Sequence, residues 1–142
     1  MKIKLKQNLV KSIFILEDNE DRINWFKQIF SFVPTLFITK KIDIALMALN
    51  LHKYDILFLD HDLYENYDPT LYTGEPLALE LTGLYVAQKL RDTINKDTLC
   101  IIHSMNPTGS TNMIHAHPFN TVHIPYHILR DSLEIEELNE LS

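Results

Sequence analysis

The chain has 142 residues, 46% of them hydrophobic, and a formal net charge of −6. That length and apolar content suit one domain with an ordinary core, and the negative charge excludes broad attraction to DNA or other nucleic-acid backbones. One cysteine, Cys100, excludes an internal disulfide, and no apolar run approaches the length of a membrane span.

The opening Met1-Lys2-Ile3-Lys4-Leu5-Lys6 alternates charge with bulk. It lacks the apolar core of a signal peptide, so a cytoplasmic location is expected. Ser12–Leu16 reads as a buried strand ended by Glu17-Asp18-Asn19. Ile23, Trp25, Phe26, Ile29 and Phe30 then recur at helical spacing, with Asn19 or Glu20 at the cap. Thr35–Thr39 is a second strand, and Ile42, Ala45, Leu46, Ala48 and Leu49 mark a second helix. Tyr54–Leu59 is the third and most apolar strand. A polar, tyrosine-rich connection runs from about His61 to Thr82, long enough to expect a functional segment. Gly83–Thr93 is helical, Thr98–Ile102 the fourth strand, Thr111–His117 a short helix, and Thr121–Ile124 a fifth strand stopped by Pro125. Leu129, Leu133, Ile135, Leu138 and Leu141 among acidic residues predict an amphipathic helix over about 127–141.

Strands alternating with helices imply an α/β fold. The expectation is a single domain over 1–142 with its core at about 12–126. It is a three-layer, doubly wound, parallel five-stranded sheet of flavodoxin-like order 2-1-3-4-5. Ligands of such sheets sit beyond the carboxyl ends of the strands. The polar clusters fall there: Glu17-Asp18, Asp60-His61-Asp62 and His103-Ser104.

Acid–base chemistry on a bound ligand needs one group to take a proton and another to give one. Histidine suits both proton roles near neutral pH. His61 and His103 are the candidates, from opposite sides of one ligand, with either as base. Asp60 or Asp62 would orient His61. Asn106-Pro107-Thr108-Gly109-Ser110-Thr111-Asn112 reads as an anion cradle. Ser104, Asn106 and Asn112 are its neutral donors, Gly109 allows its tight turn, and Ser110 is a candidate cap. Glu17, Asp18 and Asp60 suit Mg²⁺, or one of them works metal-free. Arg22 is a candidate for a second phosphate or ribose, or for a surface pair with Glu20 or Asp21. Tyr64, Tyr67, Tyr72 and Phe119 are candidates to stack on a base. His115, His117, His123 and His127 invite zinc, but without cysteines or a ligand frame.

With those positions in view, the chain resembles receiver domains of two-component signalling. Glu17-Asp18 match the acidic magnesium pair, Asp60 the phospho-accepting aspartate and Ser104 the hydroxyl residue after strand four. Receivers carry a lysine before the proline after strand five; here Ile124 precedes Pro125, which argues against phosphorelay. A more specific resemblance is to the cyclic-phosphate processing receiver-like domains. It rests on Leu16-Glu17-Asp18 with Arg22, Leu59-Asp60-His61-Asp62-Leu63, Thr82-Gly83, and His103-Ser104-Met105-Asn106-Pro107 followed by Gly109, Asn112 and Met113. Glu17 stands where aspartate is commoner. The resemblance implies a phosphoesterase for a cyclic-phosphate-containing nucleotide, ADP-ribose derivative or RNA end. The alternative is a catalytically inactive receiver-like module that binds a nucleotide or a protein.

Overall fold

The computed structural model describes residues 2–63 and 82–137. Seven strands and five helices follow in order: β1 (Ile3–Lys6), β2 (Ser12–Leu16), α1 (Glu20–Ile29), β3 (Thr35–Thr39), α2 (Ile42–Leu51), β4 (Ile56–Leu59), α3 (Gly83–Lys89), β5 (Leu99–Ile102), α4 (Pro107–Ala116), β6 (Thr121–His123), α5 (Tyr126–Ser132) and β7 (Leu133–Glu136). The main sheet is parallel, with order β3-β2-β4-β5-β6. This is the expected doubly wound order, with the predicted first strand at the second position.

The pleat sorts side chains into two cores, because successive residues point to opposite faces. Phe14, Leu16, Leu57, Leu59, Cys100 and Ile102 pack with Ala45, Leu49, Val86 and Met113 of α2, α3 and α4. Ile13, Ile15, Ile56, Phe58 and Ile101 pack with Phe26 of α1 and Leu129 of α5. Strands buried on both faces read as near-continuous apolar runs, which is how they appear in the sequence.

Asn19 caps α1, its side chain accepting from the Arg22 N–H, with Glu20 and Asp21 in the first turn. α4 starts earlier than the expected Thr111. Asn106 is its cap and Pro107 its first residue, where a missing N–H costs nothing. Ser110 is therefore not the cap; its hydroxyl donates to the Asn106 carbonyl at 2.8 Å.

The expected helix over 127–141 is a correction. The helix stops at Ser132, and Leu133–Glu136 pairs in parallel with Ile3–Lys6 as a separate two-stranded sheet. Leu133 and Ile135 pack with the α1-side core while Glu134 and Glu136 meet Lys2 and Lys4. The alternation of Leu-Glu-Ile-Glu is a strand pattern, and it finds its match in Ile-Lys-Leu-Lys. Among the described residues no helix is long and apolar enough to cross a membrane.

Candidate active site

Strand register builds the site. Leu16 pairs with Leu59 and Leu59 with Ile102, so the next residue on each strand falls in one row. That row is Glu17, Asp60 and His103. All three are buried, and each continues the parity of the α1-side core. The His103 ring packs against Phe26 and Phe58, with centroids 5.2 and 6.4 Å away. Its Nε2 donates to Glu17 Oε1 at 3.0 Å, and its Nδ1 has no partner.

Glu17 anchors the row. Its Oε2 accepts from the Asp18 and Asn19 N–H groups at 2.9 and 3.1 Å. Its Oε1 also lies 3.5 Å from the Arg22 guanidinium. Burial acts to raise its pKa, but the His103 hydrogen bond and charge, the Asn19 N–H and Arg22 outweigh that and hold it at about 2. Asp60 is the opposite case. Burial first, then the neighbouring Glu17 charge, push its carboxyl up to about 8, against weaker lowering by the His61 N–H and Arg22. Two carboxyls so close share one charge readily and two poorly.

His61 lies one residue beyond Asp60 and therefore turns the other way. Its ring sits against the first turn of α4. A Cβ on Gly109 would come within 2.6 Å of His61 Cγ, so only glycine leaves the ring its place. The His61 carbonyl accepts from the Gly83 N–H at 2.8 Å, and a Cβ on Gly83 would fall 1.8 Å from the Asp60 carbonyl oxygen. His61 Nδ1 is 2.8 Å from Asp62 Oδ1, and the Asn106 amide nitrogen is 3.5 Å from both atoms.

A cavity of about 400 Å³ opens above the strand ends, lined by Glu17, Asp18, Asn19, Arg22, Asp60, Asp62, Ser104, Met105 and Asn106. The expectation that two imidazoles face each other across one hollow is corrected here. They occupy opposite faces of the sheet because they differ by one residue in register. Each meets the cavity wall through a carboxylate: His103 through Glu17, His61 through Asp62. That offset was readable from the aligned ends of the third and fourth predicted strands.

The other expectations divide. Arg22, Asp18, Ser104 and Asn106 do line the cavity. Arg22 pairs with Glu17, rather than with Glu20 or Asp21, and lies 5.0 Å over the Tyr126 ring. Tyr126 was not anticipated; its only sequence cue is its place after the strand-ending proline. Asn106 is committed to structure as well as to the wall, since its Oδ1 accepts from the Gly109 N–H at 2.9 Å. Gly109 packs on His61, and Asn112 is exposed further along α4; neither lines the cavity. Phe119 lies against His117 and Lys96 and does not line it either. Tyr64, Tyr67 and Tyr72 fall outside the described residues.

Glu17, Asp60 and His103 offer ligand atoms within 4.8 Å of one another. A ligating histidine normally donates its second N–H to an acceptor, and His103 Nδ1 has none. Glu17 already serves four donors. Of the three expected cation ligands, Asp60 and Glu17 group with His103, while Asp18 lines the cavity outside that group. His115, His117, His123 and His127 enter no such group among the described residues.

The fold has many solved relatives. A response regulator from Burkholderia pseudomallei, solved with a phosphorylated aspartic acid, calcium ion and citrate, is 14% identical with a TM-score of 0.59. The match covers 81% of this chain, which spans 60% of that protein's length. The CheY-like receiver domain from Methylobacillus flagellatus is 17% identical with a TM-score of 0.60, covering 87% of this chain and 92% of that one. The CheY-like receiver domain protein from Methanospirillum hungatei JF-1 is 15% identical with a TM-score of 0.57, covering 92% and 84%. These are likenesses of fold. No curated protein matches in sequence. The model of the cyclic-phosphate processing Receiver domain matches residues 13–117. The chain belongs to that family.

Proposed function

We propose that this domain hydrolyses, or otherwise processes, a cyclic phosphodiester carried by a nucleotide, an ADP-ribose derivative or an RNA end. The observation that carries the reading is the His61–Asp62 pair, 2.8 Å apart, with Asp62 on the wall of a cavity that also holds Arg22 and Asp60. Asp62 faces the cavity and receives the proton of water, and His61, bonded to it through Nδ1, orients and stabilises it. Water then forms the new P–O bond as one ring P–O bond breaks. The departing oxygen needs a proton, and burial beside Glu17 favours the protonated, donating form of Asp60. Arg22, steadied by Glu17 and Tyr126, offsets the phosphoryl charge, and Ser104 adds a neutral group. His103 acts through Glu17, as a positioning residue.

Asp18 and Asp60 would hold a divalent cation, which supplies Lewis-acid stabilisation of phosphoryl charge when bound. Proton and cation exclude each other on Asp60. Incubation with a panel of cyclic phosphates, followed by phosphorus NMR with and without EDTA, tests both forms of the reading. Conversion to a monoester supports hydrolysis, and loss of conversion in EDTA with rescue by Mg²⁺ assigns Asp60 to the cation. The second reading, a binding module without turnover, is favoured by the burial of His103 away from the cavity. Saturable binding with every cyclic phosphate left intact would select it.

A further inference from the structure

We propose that His123 is a positioning residue for the His61–Asp62 pair, an inference that rests on that pair being the proton-transfer group. His123 closes β6 and does not line the cavity. Past the β5–β6 register the Ile124 and Tyr126 N–H groups donate to the Ile102 and His103 carbonyls, and among the described residues no backbone N–H donates to the Ser104 carbonyl. Ser104 is buried, and an unpaired carbonyl there would cost about 1–3 kcal/mol. The His123 side chain fills the role: Nε2 donates to the Ser104 carbonyl at 2.9 Å.

The bond fixes more than one carbonyl. Ser104 Oγ accepts from the Asn106 N–H at 3.0 Å. Asn106 in turn caps α4 through Gly109, and its amide donates to Asp62 Oδ1 at 3.5 Å, the oxygen that also accepts from His61 Nδ1. A short hydrogen-bonded path thus runs from the last strand of the main sheet to the pair. It passes through the turn that carries three cavity-lining residues, Ser104, Met105 and Asn106. The Tyr126 N–H holds the neighbouring His103 carbonyl at 2.9 Å, and the His123 side chain is the tie to Ser104 itself.

The test compares His123→Ala with His123→Gln, whose amide N–H stands near the position of Nε2. The His61 ring signals, assigned by their loss in His61→Gln, are read by proton–carbon NMR in all variants. Turnover on the cyclic phosphate that the wild type converts is read in parallel. For His123→Ala we expect displaced His61 signals, turnover lower by about 10-fold, and a KM within about twofold of wild type. His123→Gln should restore both signals and most of the turnover. A folded His123→Ala with unmoved His61 signals overturns the inference, whatever its melting temperature, because a merely structural role would lower stability alone. If the wild type turns over no cyclic phosphate, the functional reading fails, while the NMR comparison still decides the role of His123.

Discussion

An alanine at Gly109 places one methyl group where the His61 ring now lies. The new Cβ would stand 2.6, 2.7 and 2.8 Å from Cγ, Cδ2 and Nδ1 of that ring. Carbon atoms rest at about 3.5–4.0 Å, so the ring must retreat by about 1 Å. The 2.8 Å bond to Asp62 has no such slack. Two stability terms oppose each other. Overpacking costs about 1–3 kcal/mol, and replacing glycine by alanine inside a helix returns about 1 kcal/mol. The net is a loss of about 0–2 kcal/mol, which a folded domain survives. Activity answers to geometry instead, and a shift of about 1 Å costs on the order of 100-fold. Urea denaturation should therefore find Gly109→Ala close to wild type while phosphorus NMR finds turnover nearly lost. Full turnover in the folded variant would refute the argument that His61 must hold this position.

Asp60 provides a pH signature. Its folded-state pKa lies above the unfolded value, so its stabilising contribution is full below pH 3.8 and fades as pH rises through about 8. Asp60→Asn should remove that fade and melt higher than wild type at pH 8, with the difference shrinking toward pH 4 in thermal scans run without divalent ions. His117 is buried at the end of α4, and burial pushes its pKa down against a weaker upward pull from a hydrogen bond to the Lys96 backbone. Its contribution is present above the ordinary histidine value and is lost as pH falls below it. His117→Leu should gain about 1 kcal/mol in urea denaturation at pH 7, and more at pH 5. Leu133→Ala should cost about 2–5 kcal/mol because Leu133 belongs to the α1-side core. Lys4→Ala, which removes only an exposed pair with Glu136, should leave the urea midpoint almost unchanged.

The sequence exposed those parts of the molecule that repeat locally. Ser12–Leu16 and Thr35–Thr39 are strands over their expected limits, since each is an apolar run with a polar stop. Of the two cap candidates, Asn19 and Glu20, Asn19 is the cap, because capping depends on a few adjacent residues. The tail misled for a physical reason. Leu129, Leu133 and Ile135 satisfy a loose helical spacing, while Leu133 and Ile135 also satisfy strand alternation. The partner that decides between them, Ile3–Lys6, lies at the opposite end of the chain. Pairing at that distance leaves no local mark. At the site, the residue types were legible and their directions were not. Aligned strand ends put Asp60 and His103 in one row and turn His61 to the other face. Composition announces neither Tyr126 beneath Arg22 nor His123 behind Ser104; both depend on how the last strand is laid beside its neighbour.

The most direct trial of the account is phosphorus NMR on a cyclic phosphate panel with wild type, His61→Gln and His103→Gln side by side. The expected result is ring opening by the wild type, none by His61→Gln, and a weakened but measurable rate for His103→Gln, whose amide can still donate to Glu17. Unimpaired ring opening by a folded His61→Gln would contradict it.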